Sequence, residues 1–143
     1  MFDLDRLETF AARAIADFAA AHPEEQFDGF AIDAALLCLS LSADTEAGRA
    51  ALERAGEATQ EALEAMRRET GDWSYQGFAE LGAEHGFDRV AYAEHYNLDQ
   101  DAQKTSAYAQ AMDSLLERLR ARDAFAGLRG SEDFLVIRVE HGY

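Results

Sequence analysis

One cysteine, one proline and one lysine are all that the 143 residues contain of these three types. With Cys38 alone, no disulfide can form within the chain. It lies in the apolar run "LLCLSL" with no histidine or other base beside it, so it reads as a small buried hydrophobe and not as a nucleophile. Neither G-x-x-x-x-G-K nor G-x-G-x-x-G occurs, and Lys104 is the single lysine, so no phosphate-binding loop is present. The G-x-S-x-G elbow of serine hydrolases is missing too. Basic residues are scarce as a class: 13 Lys and Arg stand against 28 Asp and Glu, a net charge of −15. Such a surface repels the phosphate backbone, so nucleic acid and anionic membrane are disfavoured as partners. No apolar stretch approaches the length that spans a bilayer. The opening "MFDLDRLETF" lacks the basic start and apolar run of a signal peptide, which leads to the expectation of a cytoplasmic protein.

What the chain has in quantity is apolar material, 48% hydrophobic and 10% aromatic residues. That is enough for the core of one domain covering 1–143. Leu4, Leu7, Ala11, Ala14, Ile15 and Phe18 recur at helical spacing until "AHPEE", where Pro23 disfavours a helical His22. In "QFDGFAIDAALLCLSLS", Phe30 and Ile32, then Leu37, Leu39 and Leu41, alternate with smaller residues around Asp33-Ala34-Ala35. This predicts a β-hairpin whose second strand, apolar or Cys at almost every position, lies inside the sheet. "SADTEAGRAALERAGEATQEALEAMRRETG" predicts a long helix with Asp44 or Thr45 as N-cap, Glu46 near its positive end and Gly71 as its stop. Gly48 and Gly56 weaken it and suggest close packing against a neighbour. A second long helix is predicted from about Asp101 to Phe125, ended by Gly127 and Gly130. The segment between is a series of short turns. Phe134 to Val139, apolar on both faces, predicts a final strand in a central position beside the hairpin. The expected fold is α+β: a small antiparallel sheet, made of the early hairpin and the C-terminal strand, packed against long helices.

Three Glu-His dipeptides, Glu84-His85, Glu94-His95 and Glu140-His141, attract notice, but neighbouring side chains diverge on helices and strands alike. No His-x-x-x-His spacing accompanies them, so no metal site, catalytic residue or cofactor is assigned. The most distinctive stretch is "TGDWSYQGF" at 70–78. In extended conformation Trp73 and Tyr75 would point the same way, either into the core or outward as an aromatic platform of the kind that anchors interfaces. Packing a corner of the core is the expected role. Tyr92, Tyr96 and Tyr143 would extend an exposed patch if they lay nearby.

"FDGFAIDA", a leucine-alternating strand, "SADTEAG" opening a helix and "GDWSYQGF" follow one another over roughly residues 22–80. In that order they resemble the bacterial domain of unknown function 4303 family. The resemblance implies an α+β fold and a soluble bacterial protein. It carries no catalytic residues across; by recurrence in the motifs it marks Thr45, Glu46, Asp72, Trp73 and Tyr75 as candidate binding positions.

Excess acid without a catalytic set leads to the expectation of a non-enzymatic protein-interaction module. Its concrete form is an immunity-like protein that neutralises a basic protein partner, where acidic complementarity speeds the encounter. The competing expectation is a small-molecule-binding protein or enzyme with a pocket near Trp73, Tyr75 and His95. A third is a self-associating structural module.

Overall fold

The structure, a computed structural model, describes residues 1–140. Tyr143 therefore lies outside the described residues. Helix α1 (Leu4–Ala21) begins where the Asp3 carboxylate accepts the Arg6 backbone N–H at 3.2 Å and ends at His22, just before Pro23. Leu7, Ala11, Ile15 and Ala19 repeat every four residues and are buried on one stripe. The predicted hairpin follows as β1 (Gln26–Asp33) and β2 (Leu36–Leu41). Its turn places Ala34 in the left-handed region at φ 55°, and the Tyr108 hydroxyl donates to the Ala34 carbonyl at 2.7 Å.

Two further strands complete the sheet: β3 (Tyr75–Glu80) and β4 (Arg129–Arg138), in the order β3-β2-β1-β4. β2 is internal, as its composition predicts. The sheet is small, but it is mixed, not purely antiparallel: β4 runs parallel to β1, pairing Phe30 with Val136 and Ile32 with Arg138. Parallel neighbours require the chain to cross the sheet between them, and the C-terminal helices supply that crossing. β4 also occupies an edge and not the centre. Apolar residues on both faces of a strand report layers above and below it and do not require a neighbour on each side. Phe134 and Val136 serve one face of the sheet, Leu135 and Ile137 the other.

Both predicted long helices are interrupted. The first is α2 (Ser42–Arg54) followed by α3 (Gln60–Arg67), because Gly56 at φ 69° turns the chain and Thr59 restarts it by accepting the Ala62 N–H at 3.1 Å. α2 begins at Ser42, so neither Asp44 nor Thr45 is its N-cap; the Asp44 carboxylate reaches back to the Leu41 N–H at 2.8 Å from inside the first turn. Gly48 does mark close packing, since a β-carbon there would stand 2.5 Å from Met66 Sδ on α3. The turn-rich segment contains α4 (Arg89–Tyr96), and the second long helix divides into α5 (Gln100–Gln103) and α6 (Ala107–Ala121) at Ser106, whose hydroxyl caps α6 through the Ala109 N–H at 3.0 Å.

The main core lies on one face of the sheet, where Phe27, Phe30, Ile32, Leu37 and Leu39 meet Leu7 and Ile15 of α1 and Met112 and Leu115 of α6. A smaller cluster of Ala31, Cys38, Trp73 and Ile137 sits on the opposite face. α2 and α3 cover that second face only in part.

Candidate functional site

The candidate site begins with an irregularity in β1. Phe27 pairs with Leu41 and Gly29 with Ser40, which leaves Asp28 as an extra residue. This is a β-bulge, and it turns a carboxylate toward the second face of the sheet. The same interruption separates Phe27↔Gly130 from Gly29↔Leu135 in β4, so residues 131–134 bow out beside Asp28.

Asp28 is 8% exposed and fully engaged. Its Oδ2 accepts from Arg67 Nε at 3.1 Å and from the Thr45 hydroxyl, and its Oδ1 accepts from the Ser131 hydroxyl at 2.7 Å. Arg67 Nη2 donates on to the Asp133 carbonyl at 2.7 Å. One carboxylate thus ties β1, α2, α3 and β4 together. Removing one member of a buried ion pair typically costs about 3 kcal/mol, because the other charge is left without a partner.

Next to this clamp, the gap between α2, α3 and the sheet forms a cavity of about 350 Å³. Met66, Ala51, Gly48 and Trp73 supply its apolar wall, and Thr45, Asp44 and Asp72 are among its polar lining. Trp73 is held in place by donating Nε1–H to the Arg67 carbonyl at 3.2 Å. Asp44 is oriented by three uncharged donors, the Leu41 N–H at 2.8 Å, the Ser74 N–H at 2.9 Å and the Ser74 hydroxyl at 2.7 Å. The Asp72 side chain is exposed and has no hydrogen bond or ion pair among the described residues.

Of the five positions marked by the motifs, Thr45, Asp72 and Trp73 therefore converge on one cavity. Glu46 and Tyr75 do not. Glu46 points into solvent, 76% exposed, with Arg49 3.9 Å away. Trp73 and Tyr75 lie on opposite faces of the sheet, contrary to the extended reading. Trp73 closes the 3₁₀ turn Thr70–Asp72 before β3 begins, so strand alternation does not link it to Tyr75. Tyr75 packs edge-on against Phe18 at 4.8 Å on the main-core side and donates its hydroxyl to the Glu25 carboxylate at 2.7 Å. That hydrogen bond, with burial and the nearby negative charge adding to it, pushes the phenol pKa up to about 12.

His95 belongs to neither aromatic. It is buried beside Tyr108, its Nδ1 2.6 Å from the Ser106 hydroxyl, so the expected pocket of Trp73, Tyr75 and His95 does not form. Burial, and then the positive charge of Arg138, push its pKa down. Tyr92 packs with Phe87 and Tyr108 in the main core and extends no patch around Trp73. Burial pushes the Cys38 thiol pKa up, in keeping with a packing role.

No family model matches the chain, and comparisons with curated proteins and with solved structures give no match. Among the described residues no group of three His, Cys, Asp or Glu side chains is arranged to hold a metal ion, and no helix is long and apolar enough to cross a membrane. The cavity joins an apolar wall to two carboxylates, a combination suited to a ligand with an aliphatic body and a cationic end.

Sequence reasoning missed Asp28, Arg67, Ser131 and Asp44 in these roles. One signal for Asp28 was available: Phe27 and Phe30 both face the main core although they are three residues apart, a spacing that breaks period two and implies an extra residue between them.

Proposed function

We propose that this chain is a non-enzymatic protein-interaction module, immunity-like in its action, whose α2–α3 side covers a basic partner protein. The observation that carries this reading is how the charges are disposed. Many of the arginines are already used within the molecule. Arg67 is bound by Asp28, Arg118 by Asp5 at 2.7 Å, Arg122 by Glu8 at 2.9 Å, and Arg138 by Asp113 and Glu140, each at 2.9 Å. Meanwhile α2, α3 and the turns after each of them expose Glu53, Glu57, Glu61, Glu64, Glu69 and Asp72, with Arg54 and Arg68 as the exposed basic residues alongside Arg49. An acidic surface of this kind selects a basic partner and accelerates its approach, most strongly at low ionic strength. The resemblance to the bacterial domain of unknown function 4303 family supports a bacterial setting.

The test is capture of native lysate proteins on the immobilised chain, eluted by a salt gradient, run beside a variant carrying Glu57→Lys, Glu61→Lys and Glu64→Lys. The expected result is one stoichiometric basic protein that salt releases and the variant does not retain. Retention that is equal on both surfaces and insensitive to salt would overturn the reading.

A second reading is favoured by the cavity itself, whose volume falls within the range of small-molecule sites. It makes the cavity, and not the acidic surface, the functional feature. A melting-temperature screen against metabolites and metal ions checks it: one compound that stabilises the wild type and fails to stabilise Trp73→Phe supports it, and a flat screen counts against it.

A further inference from the structure

We propose that the cavity between α2, α3 and the sheet receives a single arginine side chain of the basic partner, with its aliphatic stem along Met66, Ala51 and Trp73 and its guanidinium at Asp44 and Asp72. The inference rests on the interaction reading above and gives it a specific anchor.

Several independent features of the cavity fit this occupant. Its wall is apolar where a stem would lie, and its volume of about 350 Å³ admits one long side chain. The two carboxylates come from separate elements, Asp44 from the first turn of α2 and Asp72 from the turn before β3. Asp44 is already oriented by the Leu41 and Ser74 donors, so placing it costs little at the moment of binding. Asp72 has nothing bound to its side chain among the described residues. Arg67, the cation in the lining, does not compete, because its guanidinium is committed to Asp28 and to the Asp133 carbonyl. Cations are favoured beside an indole, and Trp73 lines the cavity. Arginine is preferred to lysine because a guanidinium is more weakly hydrated than an ammonium and pairs with carboxylates through several donors in one plane. A buried basic anchor ringed by weaker acidic contacts is also the arrangement in which a few residues dominate an interface.

Trp73 is the one tryptophan of the chain, so its fluorescence reports directly on the cavity. The probes are three blocked peptides identical except at one position, which is arginine, lysine or citrulline, together with a polyarginine peptide. The arginine peptide is expected to change Trp73 emission saturably, with an affinity that falls as salt is added; the citrulline peptide, equal in shape and uncharged, is expected to leave it unchanged. Asp72→Asn should weaken arginine binding about tenfold. Ala51→Leu, which fills the cavity without altering charge, should abolish it while thermal unfolding confirms a folded protein. Equal responses to arginine and citrulline, or unchanged binding in both variants, would overturn the proposal, and lysine binding at least as tightly as arginine would overturn the choice of side chain. An uncharged or anionic small molecule that binds at Trp73 and excludes the peptide would overturn it as well.

The two proposals fail separately. If polyarginine binds the wild type, is lost by the Glu57→Lys, Glu61→Lys, Glu64→Lys variant and is unaffected by Ala51→Leu, the acidic surface is the contact and the cavity is not. If polyarginine and the isolated basic partner both leave the wild type unbound, both proposals fall.

Discussion

At the scale of single residues, the chain separates chemistry that its sequence places side by side. Trp73 and Tyr75 are two positions apart, yet one closes a turn on the partly covered face and the other opens a strand on the main core. Tyr75 carries a measurable consequence. Its phenol, near 10 in an unfolded chain, is held up at about 12 by donation to Glu25. The folded state therefore binds this proton more tightly, so the hydrogen bond contributes fully below pH 10 and is lost as pH rises toward 12. In ultraviolet titration, Tyr75→Phe should lose a late-ionising step that the wild type shows, while costing about 1 kcal/mol at neutral pH in urea unfolding. The candidate site was half legible at this scale. Thr45, Asp72 and Trp73 were marked by their motifs, whereas Arg67 sits beside Arg68 in "MRRE" and only the three-dimensional position of Asp28 distinguishes the pair.

Among the elements, helices and strands with strong periodicity matched their sequence patterns, and the failures occurred where a break depends on backbone conformation. α1 and the hairpin needed only the spacing of their apolar residues and the stop at Pro23. The division of α2 from α3 needed Gly56 to adopt φ 69°, which a helix-weakening residue permits but does not dictate. β3 was missed because its alternation is disturbed: Leu37 pairs with Ala79 and Leu39 with Tyr75, so two extra residues interrupt it, with Gly77 at φ 78° between them. Two of the left-handed positions outside β3, Gly56 and Ala34, make opposite substitutions informative. Gly56→Ala has free space around it and loses only its easy left-handed backbone, so a destabilisation of about 1 kcal/mol is expected. Ala34→Gly relieves the same strain in the hairpin turn, and a gain of up to about 1 kcal/mol is expected, less the added freedom of the unfolded chain. Denaturant midpoints of the two variants against the wild type check both signs.

For the molecule as a whole, charge is the dominant property that sequence disclosed and topology the one it concealed. A net charge of −15 on 143 residues opposes compaction. Raising sodium chloride from about 0.01 M to about 1 M shortens the screening length from about 30 Å to about 3 Å. The melting temperature at neutral pH is expected to rise by several degrees across that range; a fall would mean that the ion pairs of Arg118, Arg122 and Arg138 outweigh the general repulsion. Parallel pairing of β4 with β1 was not legible, because alternation describes the faces of a strand and says nothing of its direction. That pairing has a consequence during synthesis. β1 is made early, but the strand that shields its second edge lies about a hundred positions later in the sequence, and Ser131 and the Asp133 carbonyl, which complete the clamp around Asp28 and Arg67, arrive with it. A nascent chain on the ribosome can form α1 and the hairpin by local contacts, yet it carries an open apolar strand until residues 129–138 emerge from the exit tunnel. Among the described strands, the one that covers the open edge of β1 is the latest in the sequence.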